Sequence, residues 1–269
     1  SRRPEELIMK YKYTTEAEIV RIRNLERSRE TDRVVIETPL TIFFNGSEFI
    51  TLLCSPDNLD CLAVGFLRSE GLITGAADIE QIDLDYQKKI VYIKTVSING
   101  LVDKLYGKRM ITSGCGKGSL FFSALDSLQS KRIESPLQVG AGEIFNLVSV
   151  MQEKAQLFKS TGGVHSAALA EKGEILYYNE DIGRHNAVDK IVGQCILKNI
   201  ELGDKILLSS GRVSSEIVIK GAKLGLPLIV SRSAPTSLAV ELARETGLTL
   251  VGFARGKRLN VYSHDYRII

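Results

Sequence analysis

The residues Lys205-Ile206-Leu207-Leu208-Ser209-Ser210-Gly211-Arg212 carry the pattern that decides the fold, an apolar run that ends in serine, glycine and arginine. The pattern returns in Pro227-Leu228-Ile229-Val230-Ser231-Arg232, and the segment between them, 214–224, has apolar residues at helical spacing. A helix over 235–246 and a strand over 248–254 continue the series. Short buried strands that alternate with helices predict an α/β layer with a largely parallel sheet.

The same alternation fills the rest of the second half of the chain. An upstream helix has its apolar residues on one face: Ile144, Leu147, Val148, Met151, Ala155 and Phe158. Strands are predicted over 165–170 and 174–178, a helix over 186–198 and a last strand over 258–263. Right-handed crossovers bring strand ends to one edge of such a sheet, so we expect the loops that follow the strands to meet there.

Those loops hold many of the polar residues of this half. Segments 180–186, 209–216, 231–237 and 255–258 each contain arginine. Arginine binds phosphate through paired hydrogen bonds, and helix N-termini offer unpaired N–H groups to anions. Helix capping and solvated arginines explain one such loop, but four at one edge favour a phosphorylated ligand. The side chains that we expect to contact it are Arg184, His185, Ser210, Arg212 and Arg232.

The first half of the chain has a different residue pattern, with a charged start followed by predicted strands. Residues 1–33 are polar and charged. Strands are predicted around the turn Asn45-Gly46, a strong hairpin signal, and in a second hairpin over 79–95. Between them, Ser55-Pro56 predicts a helix start and Gly71 a helix end.

These patterns divide the chain into a polar N-terminal segment, a smaller strand-rich α+β domain and an α/β domain. Their boundaries are 1–33, 34–135 and 136–269, and the second of these ends with a cysteine-containing loop and a short predicted helix over 120–128.

The totals exclude several classes of protein. The 269 residues are 44% hydrophobic and 25% charged, with a net charge of +3, as in an ordinary globular protein. That charge is too balanced for general nucleic-acid binding, and no apolar run could span a membrane. We therefore expect a cytoplasmic protein without a membrane or nucleic-acid partner.

The four cysteines, Cys54, Cys61, Cys115 and Cys195, are too widely spaced for a disulfide framework. Cys115 stands apart because it lies in Ile111-Thr112-Ser113-Gly114-Cys115-Gly116-Lys117-Gly118-Ser119, between glycines and close to a lysine that could lower its pKa. This stretch alone is compatible with a reactive thiol and with an ordinary glycine-rich turn. We interpret Cys54 as structural and Cys195 as a buried hydrophobe.

The histidines His165 and His185 differ in their sequence surroundings. His165 opens a predicted strand, where a lone histidine commonly packs and hydrogen-bonds locally, and we interpret it as structural. His185 adjoins Asp181 and Arg184 in a polar loop and is a candidate functional residue.

Common catalytic motifs are missing from the chain. The His-x-Glu and Pro-Cys-x-x-Cys motifs of zinc deaminases, the nucleotide-binding Walker A and G-x-G-x-x-G motifs, and the G-x-S-x-G of serine hydrolases do not occur. The sequence therefore predicts no catalytic metal and no serine nucleophile.

Four blocks in order closely resemble the formate dehydrogenase accessory sulfurtransferase family (FdhD). They are the segments 160–167, 180–190, 209–212 and 251–256, which read STGGVHSA, EDIGRHNAVDK, SSGR and VGFARG. The resemblance extends from about Val34 to Tyr262. It implies a C-terminal α/β domain similar in fold to cytidine deaminases.

The resemblance also implies an activity, a sulfurtransferase or sulfur carrier. A cysteine desulfurase would load sulfur onto Cys115 as a persulfide, and the chain would pass it to the molybdenum cofactor of formate dehydrogenase. That cofactor, a bis(molybdopterin guanine dinucleotide), would be bound as ligand and substrate by the family's C-terminal stretch, here Phe253-Ala254-Arg255-Gly256-Lys257-Arg258. We expect a homodimer.

One departure from the family pattern leaves an alternative open. Many members have Cys-Gly-x-Cys where this chain reads Cys115-Gly116-Lys117-Gly118. A mechanism that uses one cysteine is unaffected, but resolution of the persulfide through a neighbouring disulfide is in doubt. A cofactor-binding chaperone that transfers no sulfur is the competing hypothesis.

Overall fold

The computed structural model describes residues 13–96 and 132–269, which form three β-sheets and six α-helices. Cys115, the segment around it and the helix predicted over 120–128 lie outside these ranges. None of the described helices combines the length and the apolar character needed to cross a membrane.

The first sheet is a hairpin that the sequence analysis does not predict. Strands β1 (Thr14–Arg23) and β2 (Glu26–Val35) pair antiparallel over their whole length, and none of their residues is buried. Their charged residues hide the strand pattern, because neither face of the hairpin is apolar.

The second sheet belongs to the predicted strand-rich domain. Its strands are β3 (Thr38–Phe44), β4 (Ser47–Cys54), β5 (Ile79–Asp85) and β6 (Ile90–Thr95), in the order β4-β3-β6-β5. Helix α1 (Leu59–Glu70) packs on this sheet through Leu59, Leu62 and Phe66.

The ends of α1 were predicted with unequal success. Gly71 ends the helix in the left-handed conformation, as predicted. The predicted start at Ser55-Pro56 is wrong, because the helix begins after Asn58. Ser55 instead donates its backbone N–H to Asp181 of the other domain, at 3.0 Å.

The third sheet has six strands in the order β12-β11-β10-β9-β7-β8. The strands are β7 (His165–Glu171), β8 (Glu174–Asp181), β9 (Ile206–Ser209), β10 (Leu228–Ser231), β11 (Thr249–Arg255) and β12 (Arg258–Ser263). Only β9, β10 and β11 are parallel to one another within this sheet, and the other pairings are antiparallel. The α/β prediction is confirmed, but the expectation of a largely parallel sheet is wrong because hairpins extend both ends.

Helices cover both faces of this sheet. The helix α2 (Ala141–Lys154) lies on one face, and the helices α4 (Arg184–Leu197), α5 (Ser215–Lys223) and α6 (Ser237–Thr246) lie on the other. Helix α2 buries the predicted stripe up to Met151, but Phe158 is in a separate short helix, α3 (Gln156–Thr161), and is 46% exposed.

Two glycines let the helices α1 and α4, which belong to the two predicted domains, cross with their backbones in contact. A Cβ atom on Gly65 would overlap the backbone of Asp189, and one on Gly193 would overlap the carbonyl of Cys61. Glycine permits this close approach, which fixes the two domains against each other.

Ion pairs surround this crossing. Lys190 is fully buried, with its Nζ 2.8 Å from carboxylate oxygens of both Asp57 and Asp181. Burial opposes the charge of Lys190, but the two carboxylates outweigh it and raise the pKa of the amine. The residue before Lys190, Asp189, accepts hydrogen bonds from Ser69 of α1 at 2.6 Å and from Lys220 of α5 at 2.7 Å. We call these six side chains the interdomain ion cluster: Asp57, Ser69, Asp181, Asp189, Lys190 and Lys220.

Candidate functional site

The ends of several strands meet at one edge of the six-stranded sheet. The register pairs His165 with Asp181, Ala167 with Ser209, Ser209 with Ser231, and Arg255 with Arg258. The loops that follow β8, β9, β10 and β11 therefore lie along a single border, which we call the arginine edge. Helices α4, α5 and α6 begin there, and the predicted gathering of these loops is confirmed.

Hydrogen bonds between neighbouring loops hold the edge in shape. Ser231 donates its hydroxyl to the Gly211 carbonyl at 2.6 Å, and Arg232 donates its backbone N–H to the Ser209 carbonyl at 3.1 Å. Ser210 continues the pairing of β7 with β9, because its N–H donates to the Ser166 carbonyl and its Oγ accepts from the Ser166 N–H, both at 2.9 Å. The loop backbones are thus held by serine hydroxyls and backbone groups, and Arg255 adds one hydrogen bond from its Nε to the Arg232 carbonyl at 2.7 Å.

The arginines of the edge have no carboxylate partner. Within the described ranges, no carboxylate lies within 4.0 Å of Arg184, Arg212, Arg232 or Arg255. The Nε atoms of Arg184 and Arg232 are also buried without a hydrogen-bond partner. Burial and the neighbouring Arg255 lower the pKa of Arg232. Buried donors without acceptors beside uncompensated positive charge are suited to bind an anion.

Both histidines of the edge lie among these cations. His185 faces Ser214 Oγ at 3.3 Å and Glu216 Oε2 at 3.4 Å. Burial, Lys220 and Arg184 lower the pKa of His185 to about 4, so the imidazole is neutral at pH 7 and its contact with Glu216 is not an ion pair.

The stretch predicted to bind the cofactor is split between the core and the surface. Ala254 is fully buried and packs under the sheet, so its side chain cannot reach a ligand at the edge. Gly256, Lys257 and Arg258 are exposed around the turn between β11 and β12. Phe253 has a positive φ of 51°, which is unusual for an aromatic residue, and donates its N–H to the Ser233 carbonyl at 3.0 Å.

The first two residues of the motif 180–190 have other contacts than the rest of the arginine edge. Glu180 and Asp181 belong to strand β8 rather than to a loop, and neither is at the arginine edge as a free side chain. Glu180 accepts hydrogen bonds from the N–H groups of Leu157 and Phe158, and Asp181 is in the interdomain ion cluster. Arg184 and His185 of this motif do lie at the edge.

His165, which the sequence predicted to be structural, lies close to the predicted site residues. The structure places its half-buried ring at the edge, with Nδ1 3.5 Å from Ser210 Oγ. The signal that could have identified it was its position at the start of a strand antiparallel to β9. A sequence cannot give that direction, because it depends on how distant strands pair.

The three cysteines that the structure describes are free and buried: Cys54, Cys61 and Cys195. Burial raises the pKa of each thiol to about 12, so thiolate is scarce at pH 7. The described residues also contain no group of three or more histidine, cysteine, aspartate or glutamate side chains placed to hold a metal ion.

Comparison with known proteins places these features in context. Residues 35–269 match the sequence profile of the FdhD/NarQ family. The chain is 44% identical to the sulfur carrier protein FdhD of Bacillus pumilus over 89% of its own length and 91% of that protein. It is 41% identical to the protein of the same name from Bacillus subtilis, over 97% and 99% of the two chains.

A solved structure is similar over almost the whole chain. It is the crystal structure of a proposed formate dehydrogenase accessory protein from Desulfotalea psychrophila, with a TM-score of 0.80 and 28% sequence identity. The match covers 96% of this chain and all of that one.

Proposed function

The chain belongs to the FdhD/NarQ family, and we propose that it is a sulfur carrier that receives sulfur on Cys115 and passes it to the molybdenum cofactor of a formate dehydrogenase. The donor is a cysteine desulfurase, whose persulfide yields its terminal sulfur to the thiolate of Cys115. The cofactor is substrate and cargo in this reaction. Relatives named sulfur carrier proteins, at 41–44% identity, support the general role.

The choice of Cys115 is supported by the state of the other thiols. A carrier cysteine must form a thiolate and must be reached by a partner protein. Cys54, Cys61 and Cys195 meet neither condition, because they are buried and burial raises their pKa to about 12. Cys115, with Lys117 two residues on, is the remaining cysteine of the chain.

The arginine edge is the observation that carries cofactor binding. Arg184 and Arg232 hold buried Nε donors without acceptors, Arg212 acts on His165 together with Arg184, and Arg255 lies beside Arg232. The diphosphate groups of a guanine dinucleotide would supply the missing acceptors. Phe253, held in a strained backbone conformation two residues before Arg255, would supply an aromatic ring on which a base can stack.

Mass spectrometry tests the sulfur step. After incubation with a cysteine desulfurase and cysteine, the peptide that contains Cys115 should gain one sulfur atom. The Cys115→Ala variant should gain none, whereas Cys61→Ala, a control that removes a buried thiol, should label normally. Persulfide on Cys115→Ala would assign the carrier role to another residue.

Equilibrium binding of GDP tests the edge separately. Arg184→Gln and Arg232→Gln should each weaken binding by about tenfold to a hundredfold, because a hydrogen bond to a charged group contributes about 1.5–3 kcal/mol. The loss should be greatest at low ionic strength. Arg29→Gln, on the exposed hairpin, is the matched control and should bind normally. Equal binding by all four proteins would show that the edge arginines are only solvated.

The absent second cysteine of the family pattern favours one alternative, a chaperone that delivers the cofactor without moving sulfur. It predicts nucleotide binding that depends on the arginines, together with no sulfur on Cys115. The two experiments above therefore distinguish the two functions.

A further inference from the structure

His165 is a titratable side chain of the arginine edge to which the proposed function assigns no task. It opens β7, the strand next to β9, and about half of its side chain is buried. Its Nδ1 lies 3.5 Å from Ser210 Oγ and 3.4 Å from the place where a Cβ on Gly211 would lie. The ring is therefore held against the loop that carries Arg212.

The charged groups that face His165 come from two elements and have one sign. Arg184 projects from α4, where its Cβ lies 3.0 Å from that same Gly211 position, and Arg212 follows β9. Asp181 pairs with His165 in the strand register, but its carboxylate is occupied by Lys190 and by the backbone N–H groups of Ser55 and Gly183. His165 thus lies near two arginines and, among the described residues, near no available carboxylate.

This setting keeps the imidazole neutral in the free protein. Burial is the largest cause of the lowered pKa of His165, and Arg184 and Arg212 lower it further. An anion between the two arginines would reverse the electrostatic part of this effect, since its charge would offset theirs and favour the imidazolium.

We propose that His165 is a phosphate-binding residue that takes up a proton when a diphosphate group binds between Arg184 and Arg212. This inference rests on the proposed function, of which it defines the ligand contact. The imidazolium donates from both ring nitrogens, and within residues 13–96 and 132–269 its Nε2 has no hydrogen-bond partner. One donor can therefore stay with Ser210 while the other contacts a phosphate oxygen.

His185 is the natural comparison because it faces Arg184 too. Its Nε2 already contacts Ser214 and Glu216, and Lys220 adds a second nearby positive charge. Its ring is committed to the start of helix α5, so it should remain neutral when the ligand binds.

Isothermal titration in buffers of different ionisation enthalpy measures the proton taken up on binding. The probes are GDP and inorganic pyrophosphate, which separate a diphosphate site from one that also needs the nucleoside. Wild-type protein should take up a proton near pH 7, and its affinity should rise on acidification by at most about tenfold per pH unit. The terminal phosphate of the probe, which titrates near about pH 6, acts in the opposite direction, so the variants must be compared with the same probe.

Two variants of His165 test the proposal, one that cannot carry a charge and one that carries it permanently. The matched control is His185→Gln. His165→Gln should bind more weakly and lose the proton uptake. His165→Lys, which has a permanent charge, should retain affinity without proton uptake. His185→Gln should keep the wild-type uptake.

The outcomes separate this inference from the function on which it rests. If wild-type protein binds the probes without proton uptake, or if His165→Gln takes up the same number of protons, the role of His165 is overturned while the binding site stands. If wild-type protein binds neither probe, the proposed cofactor site fails and the inference fails with it.

Discussion

At the domain interface buried cations face carboxylates, whereas at the arginine edge the cations face none. Both regions share one helix, α4. Its first residue, Arg184, has a buried Nε without a partner, and Lys190, six positions later, is held between Asp57 and Asp181 at 2.8 Å. The next residue back, Asp189, binds Lys220 through both carboxylate oxygens.

The difference separates structural charge from charge available to a ligand. Removing a charged group from water is costly, and a carboxylate close by offsets that cost within the protein itself. The arginine edge has no such compensation, so an anionic ligand would stabilise the folded state as well as occupy the site. Compensation by carboxylates, rather than burial alone, distinguishes the two uses of a cation in this fold.

Removing Lys190 should have the largest effect on stability. Lys190→Met leaves the carboxylates of Asp57 and Asp181 without their cation, and we expect the free energy of unfolding to fall by about 3–5 kcal/mol. Urea denaturation measures the loss. Lys172→Met is the control, because that lysine is 88% exposed and should contribute almost nothing. A similar midpoint for both variants would mean that the interdomain ion cluster does not stabilise the fold.

Gly193→Ala should destabilise the same interface through packing. The added methyl group would overlap the Cys61 carbonyl and force α1 away from α4, at a cost of about 3 kcal/mol. Gly142→Ala is the matched control within another helix, since nothing lies within 4 Å of the added Cβ. If Gly193→Ala unfolds at the wild-type urea concentration, the helices do not need their close contact.

The sequence predicted the elements of the second domain well because each has a local cause. The apolar runs of β9 and β10 are bounded by serine or glycine, and Gly71 shows a helix end of the same local kind in the first domain. Strand directions have no such local cause, so a sheet with a parallel centre and antiparallel ends was predicted as largely parallel.

The site was predicted in part for the same reason. Arginines after strands are visible in the sequence, but the partners that decide their role are distant. From the sequence alone, Asp181 is interpreted as a loop residue and Lys190 as a helix residue. Their buried ion pair cannot be predicted, because Asp57, which completes it, is more than a hundred positions away in the sequence. In the sequence, nothing distinguishes Ala254 from its neighbours in the segment 253–258. Because side chains of a strand alternate between its two faces, the side chain of Ala254 lies in the core.

Without any ligand, acid should lower the free energy of unfolding through His185 at the arginine edge. Since the pKa of His185 is lowered from 6.5 to about 4, the unfolded chain binds a proton there at a pH at which the folded protein does not. The contribution of His185 to stability is complete above pH 6.5 and is lost as the pH falls toward 4. After allowance for partial exposure of the ring, we expect a loss of about 2 kcal/mol.

Thermal unfolding between pH 7 and 4.5 tests this loss. The His185→Gln variant should lose less stability over that range than the wild type, because its side chain does not titrate. The carboxylates of the protein titrate equally in both proteins and cancel in the comparison. Parallel curves would show that His185 is not held neutral by its surroundings.

The smallest expected effect comes from adding a carboxylate to the arginine edge, where Glu216 contacts His185 but no carboxylate of the described residues faces an arginine. Ser214 is the N-cap of α5, makes no capping hydrogen bond, and lies 3.3 Å from His185 Nε2. Ser214→Asp should stabilise the fold by about 0.5–1 kcal/mol, through the helix N-terminus and the nearby positive charge. The same carboxylate should repel phosphate and weaken GDP binding by about fivefold, equivalent to about 1 kcal/mol. Ser214→Asn isolates the charge, because asparagine caps a helix about as well as aspartate. Equal GDP affinity for the two variants would mean that uncompensated charge does not determine binding at this edge.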